Sequence, residues 1–144
     1  MEEDRNRAVY GSYRFSFKTL KVLPRDRHED GLNVYLDADK IRFPFTIRGR
    51  REGDRFIPLG MKDRKKVKDL LIDCKVPKFE RDRVPICDDG EKIFWVVGYR
   101  VDARVAVDAN SSRYLHITAE PVHEKPKRAA SRIKTGESDE QNEL

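Results

Sequence analysis

Arg48 to Arg83 reads RGRREGDRFIPLGMKDRKKVKDLLIDCKVPKFERDR. These residues include thirteen Lys/Arg and seven Asp/Glu, a net charge of +6, while the whole chain carries +5. The positive excess is therefore confined to one window. That window is also the most punctuated part of the chain. Gly53 and Pro58-Leu59-Gly60 break it, an amphipathic run follows, and Pro77 and Pro85 bracket a second short polar run. Positive charge gathered on a segment of defined shape is the footprint of a polyanion binder, and nucleic acid is the commonest polyanion.

Within the window, Val67, Leu70, Leu71 and Cys74 recur at i, i+3, i+4 and i+7. This spacing predicts a helix with one apolar face. Asp63 is its expected N-cap, and Lys65, Lys68 and Lys75 fall off the apolar stripe. Pro77 suits the first turn of a second short helix carrying Lys78, Arg81 and Arg83, which Pro85 stops. Arg48, Arg50, Arg51 and Arg55 flank Gly53, where guanidinium forks can converge on phosphate oxygens. Lys62, Arg64, Lys65, Lys66 and Lys68 gather at the expected helix N-terminus, where backbone N–H groups also favour an anion. The candidate phosphate contacts are Arg50, Arg51, Arg55, Lys65, Lys66, Lys68, Arg81 and Arg83. The alternative is a solvated face in which the window's acids pair with its bases. Phe56 and Phe79 are its only aromatics, and both are expected in the core. Reading of a duplex through its backbone is therefore favoured over stacking of single strands. Asp69 and Asp73, one helical turn apart, could with Asp54 hold a metal. Their simpler reading is local: Asp54 stabilises the turn after Gly53, and the other two pair with neighbouring lysines.

On either side the pattern is that of strands. Tyr13, Phe15 and Phe17 alternate with Arg14, Ser16 and Lys18, the period of a half-buried strand. Asn33–Leu36 is a short apolar run. Ile41, Phe43, Phe45 and Ile47 predict one strand over 41–47, placed at a sheet edge because Pro44 lacks an N–H. Residues 84–87 predict a further strand, Asp88-Asp89-Gly90 a tight turn, and Lys92–Val97 a central strand. Val101, Ala103, Val105 and Val107 alternate as another strand, and Tyr114–Ala119 is the last, with Leu115 and Ile117 inward. Pro24–Gly31 is a charged loop. Residues 1–7 read as a polar leader. From Val122 no aromatic follows and charge dominates, so residues 122–144 are expected to be disordered. The expectation is an α+β fold: a mostly antiparallel sheet with one or two short helices and a disordered C-terminal tail.

The hydrophobic fraction, 38%, is low and the charged fraction, 40%, high for a chain of 144 residues. The apolar residues concentrate between Tyr10 and Val122, enough for one modest core. No apolar run approaches the roughly 20 residues that cross a bilayer, and MEEDRNR is too polar for a signal peptide. A cytoplasmic location is expected. Cys74 and Cys87 are lone residues, expected to be reduced, semi-buried core thiols. His28, His116 and His123 form no cluster. There is no Ser/His/Asp or Cys/His arrangement, no Walker loop and no dinucleotide fingerprint. No catalytic residue and no metal site is therefore assigned to this chain.

The series Arg51-Glu52-Gly53-Asp54-Arg55-Phe56, Pro58-Leu59-Gly60-Met61, Lys65-Lys66-Val67-Lys68-Asp69, Lys75-Val76-Pro77 and Arg81-Asp82-Arg83-Val84-Pro85, followed by Trp95-Val96-Val97-Gly98-Tyr99-Arg100, resembles the C-terminal domain of bacterial tRNA(Ile)-lysidine synthetase. The resemblance covers roughly residues 34 to 119. It implies a division into residues 1–33, the end of a preceding region, residues 34–121, the family domain, and a tail over 122–144. It also implies a parent ligase that uses ATP and Mg in an N-terminal domain to attach lysine to C2 of the wobble cytidine of an isoleucine tRNA with a CAU anticodon. The C-terminal domain then recognises the tRNA, chiefly its acceptor stem. The family's pyrophosphate loop is absent here, so the chain is expected to be an inactive C-terminal fragment. Asp63 stands where the family usually has Gly, which adds an acid to the basic patch. The rival reading is a protein-interaction module that docks an acidic surface, either the catalytic domain of the same enzyme or a second copy in a homodimer.

Overall fold

The structure, a computed structural model, describes residues 5–122. Ten strands run β1 (Arg5–Tyr10), β2 (Tyr13–Leu20), β3 (Asn33–Asp37), β4 (Thr46–Arg48), β5 (Arg55–Phe56), β6 (Lys65–Lys66), β7 (Ile86–Asp88), β8 (Ile93–Val96), β9 (Arg100–Val101) and β10 (Tyr114–Pro121). Helices α1 (Val67–Asp73) and α2 (Lys78–Arg81) lie between β6 and β7. Two four-stranded sheets have the orders β1-β2-β10-β3 and β4-β7-β8-β9, and β5 and β6 form a two-stranded ribbon. Every pairing is antiparallel. The fold is α+β, as the sequence implies.

The period-2 pattern places the first core. In the first sheet Phe15 pairs with Ala119, Ile117 with Val34, and Leu115 with Leu36. This apolar face meets Cys87, Phe94 and Trp95 of the second sheet. Phe15 and Trp95 meet edge to face at 6.2 Å, a favoured aromatic geometry. A second core holds α1 on the other side: Val67, Leu70 and Leu71 pack with Phe56, Ile86, Ile93 and Val96. Strand β8 is shared by both cores, so all four of its residues are buried. That explains its unbroken apolar run.

Several expectations are corrected. Residues 1–7 are not wholly a leader, because β1 starts at Arg5 and forms a hairpin with β2. The first sheet also runs across the 33/34 division: β2 pairs with β10 along its whole length, and β10 pairs with β3. The strand expected over 41–47 shrinks to Thr46–Arg48, although it does lie at a sheet edge. The alternation before it arises because Ile41 and Phe45 anchor an irregular segment to the core while Phe43 stays exposed. The strand expected over 101–107 ends at Val101. There the fully buried carboxylate of Asp102 accepts the Arg104 N–H at 2.7 Å and caps a tight 3-10 turn over Ala103–Val105. Cys87 is buried, and burial pushes its thiol well up, but Cys74 is exposed. The tail expected to be disordered lies, from His123 on, outside the described residues.

Asp89 in the β7–β8 turn is a second buried anchor. Burial alone would raise its pKa. The N–H groups of Arg42, Glu91 and Lys92 and the Lys92 ammonium outweigh that and bring it to about 2. A carboxylate with a depressed folded-state pKa contributes stability above its unfolded value, and that stability is lost as pH falls through the folded value. Stability should therefore drop by about 2 kcal/mol between roughly pH 4 and pH 2 through this group. Asp89→Asn should flatten that part of a urea-melt pH profile while lowering stability at neutral pH. The loop after β2 and the loop after β8 meet at Gly31, whose carbonyl accepts the Gly98 N–H at 2.8 Å. A Cβ at Gly31 would run into the Gly98 carbonyl. Gly31→Ala should cost about 1–3 kcal/mol by chemical denaturation.

Candidate nucleic-acid interface

Three devices fix the backbone of the basic window. The first is Arg48. It sits in edge strand β4 and donates to Asp54 through both terminal nitrogens, at 3.0 and 3.1 Å, and to Asp88 through Nε at 3.0 Å. Its side chain and that of Asp54 are each only 11% exposed. Burial opposes the Asp54 charge, but the Arg48 bonds and the Arg51 N–H hold this carboxyl below its usual range. The second is the turn over 51–54. Asp54 accepts the Arg51 N–H at 2.7 Å, and Gly53 takes a φ of +86°, which suits glycine. Asp54 is thus the turn-stabilising residue its position suggests. The third is Asp102, which accepts the Ile57 N–H at 2.9 Å, while Leu59 N–H donates to Val101 O and Ala103 N–H to Ile57 O. These bonds tie the end of β5 to the second sheet.

The eight candidate contacts divide into two groups on this frame. Arg50 is ion-paired to Asp82 at 2.6 Å, and Lys65 to Asp73 at 2.6 Å. Arg81 donates to the Val76 carbonyl at 3.1 Å and so helps close the turn between the helices. These three serve the fold. Arg51, Arg55, Lys66, Lys68 and Arg83 are exposed and have no ion-pair or side-chain hydrogen-bond partner among the described residues. Arg55 and Lys66 stand directly opposite each other across the ribbon. Like charges in that position repel, and neither residue has an ion-pair partner among the described residues. The Arg50–Asp82 bond brings the loop at 49–51 beside the end of α2.

Other expectations at this site are corrected. Asp63 does not cap α1: the N-cap is Lys66, in extended conformation with no side-chain cap. At the start of α1 the Val67 N–H is already taken by the Asp54 carbonyl at 2.9 Å. Arg83 lies beyond α2, not on it. Arg48, read among the phosphate-binding arginines, is a structural cation. Phe56 is buried as expected, but Phe79 is 70% exposed. Gly60 takes the left-handed position of the 57–64 loop at φ +91°, so Asp63 fits there without backbone strain. Asp73 pairs with Lys65, and no group of acids able to hold a metal occurs among the described residues. Lys62 and Arg64, at the ribbon's loop, are exposed cations that add to the face. Arg100 was missed as a site residue. Its place in the sequence gives no sign that its guanidinium reaches the Leu59 carbonyl at 3.3 Å.

No helix among the described residues is long and apolar enough to cross a membrane. The family model for the TilS substrate C-terminal domain matches residues 45–117. The tRNA(Ile)-lysidine synthase of Clostridium tetani is 45% identical over 110 residues, covering 73% of this chain and 24% of that protein. The tRNA(Ile)-lysidine synthase of Caldanaerobacter subterraneus subsp. tengcongensis is 46% identical over 83 residues, 58% of this chain and 18% of that protein. The chain thus spans a quarter or less of the length of these relatives. A crystal structure of a TilS C-terminal domain superposes with a TM-score of 0.69 at 29% identity, covering 79% of this chain and 88% of that one. An N-terminal fragment of the phenylalanyl-tRNA synthetase β-subunit from Pyrococcus horikoshii shares the fold alone, with a TM-score of 0.51 at 15% identity over 60% of this chain and 27% of that one.

The two groups of residues should separate in stability measurements. Asp54→Ala leaves the part-buried Arg48 guanidinium with Asp88 alone, removes the acceptor of the Arg51 N–H, and should cost about 2–4 kcal/mol. Arg55→Ala, on the exposed ribbon, should stay within about 0.5 kcal/mol of the parent. Urea denaturation of both variants checks this.

Proposed function

The chain belongs to the TilS substrate C-terminal domain family, and on that premise we propose that it is the tRNA-binding part of a lysidine-forming ligase, gripping the acceptor stem of an isoleucine tRNA. The rest of the parent protein, in the cytoplasm, would bind ATP and Mg and attach lysine to C2 of the wobble cytidine. This chain holds and orients the tRNA and does no chemistry itself. The observation that carries the reading is the set of exposed, unpartnered cations on a rigid face, with Arg55 and Lys66 held side by side. A row of phosphates relieves that repulsion and matches the spacing of a fixed surface better than that of a flexible tail. The scarcity of exposed aromatics on the ribbon favours duplex over single-stranded RNA there.

The test is fluorescence anisotropy with three RNAs: full isoleucine tRNA, a minihelix of its acceptor stem, and its anticodon hairpin. The tRNA and the minihelix should bind alike, and the hairpin at least about tenfold more weakly. Equal binding of the hairpin would overturn the acceptor-stem assignment. No binding of any RNA would overturn the RNA reading in favour of a protein partner, the catalytic domain or a second copy of this chain.

A further inference from the structure

Helix α2 adds nothing to the core. None of its residues is buried, yet its backbone is fixed from end to end. The Pro77 carbonyl accepts the Glu80 N–H at 2.9 Å and the Arg81 N–H at 3.2 Å. Arg81 reaches back to the Val76 carbonyl at 3.1 Å, and Asp82 is tied to Arg50 at 2.6 Å. The buried residues on either side, Val76 and Val84, root both ends in the second core. A short helix with these anchors and no buried side chain is a rigid display. What it displays is Phe79, and no other Phe, Tyr or Trp among the described residues is as exposed.

A lone apolar group on a surface is ordinary; the setting of this one is not. Lys78 adjoins it, and Arg83 stands four residues on. The helical turn continues that far: Asp82 keeps a helical conformation, and the Arg83 N–H donates to the Glu80 carbonyl at 3.0 Å. Positions four apart on a helical turn share a side. Lys78 and Arg83 are exposed and have no ion-pair partner among the described residues. Arg50 takes Asp82, which leaves Glu80 alone against the two cations. An open ring bracketed by uncompensated cations matches a nucleotide outside a helix, the ring for the flat face of the base and the cations for its phosphates.

We propose that α2 is a stacking station for one unpaired base of the bound RNA, with the base on the Phe79 ring and the flanking phosphates on Lys78 and Arg83. The inference rests on the duplex reading of the basic face and adds a contact for the single-stranded end of the stem. Every base has a flat face, so α2 holds that end without choosing its sequence. Phosphate contacts release counterions and stacking does not, so Phe79 sets affinity without setting its salt dependence.

The probes are an acceptor-stem minihelix with a single-stranded 3′ overhang and the same helix blunt-ended, each measured with the full chain by fluorescence anisotropy. Phe79→Ala should weaken binding of the overhang RNA about tenfold. It should leave the blunt helix, and the salt slope of both RNAs, unchanged. Phe79→Leu keeps an apolar side chain without the ring and should behave as Phe79→Ala does. Phe79→Trp should keep the parental affinity. Trp95 is the chain's sole tryptophan and is fully buried, so the new indole is an exposed reporter, which the overhang RNA should quench and the blunt helix should not. Phe79 belongs to neither core, so the urea midpoints of all three variants should match the parent. Parental binding of the overhang RNA by Phe79→Ala overturns the proposal and leaves the duplex reading intact. Parental binding by Phe79→Leu also overturns it, because the contact is then apolar without stacking. Phe79-dependent binding of the overhang RNA with no binding of the blunt helix supports the station and overturns the duplex reading. No binding of either RNA overturns both and turns α2 over to a protein partner.

Discussion

The bond on which the rest of this molecule depends is the one between Arg48 and Asp54. A guanidinium that is only 11% exposed is held by two carboxylates, Asp54 and Asp88, at the edge of the second sheet. Its planar fork meets Asp54 bidentately, a geometry that a lysine cannot reproduce. Asp54 in turn receives the Arg51 N–H and, through its own carbonyl, the Val67 N–H at the start of α1. One buried ion pair thus sets the entry to the basic loop, the pitch of the ribbon and the position of the helix beneath it. The pair is costly to break because either partner would be left charged and poorly solvated.

Around this frame the cations of the window fall into two kinds. Arg48, Arg50, Lys65 and Arg81 hold backbone or acids in place. Arg51, Arg55, Lys66, Lys68 and Arg83 are exposed and have no ion-pair partner among the described residues. A merely soluble surface would intersperse acids among such residues, since surface pairs form easily even though each contributes little. Here Asp54, Asp73 and Asp82 are taken up by the structural cations, and the exposed Glu52, Asp63, Asp69 and Glu80 are outnumbered by the outward cations. The physical signature of binding is therefore not the number of basic residues but which of them the fold leaves without partners.

Much of the architecture was legible in the sequence because it rests on local period. The alternation in Tyr13–Phe17 and Leu115–Ile117 places the first core, and Val67-Leu70-Leu71 gives the buried stripe of α1. What the sequence hides depends on distant partners. The alternation over 101–107 looks like a strand until Asp102 turns its carboxylate inward to cap the next residues and hold Ile57. The alternation over 41–47 is real as burial but not as strand. The ribbon β5–β6 has only two residues on each side, too few for a period. Whether Lys65 or Lys66 faces an acid depends on Asp73 across the helix, which spacing alone leaves open. Cys74 and Phe79 keep an apolar identity on the surface because the second core is already filled by Val76, Val84 and Ile86.

The central claim is that the unpartnered cations meet phosphate. The most direct measurement is the slope of log affinity against log salt for the acceptor-stem minihelix, compared between the parent chain and the Arg55→Ala/Lys66→Ala double variant. The account predicts a steep slope for the parent and one shallower by about 2 for the variant, because each lost phosphate contact removes about one counterion release. An unchanged slope with unchanged affinity would contradict it.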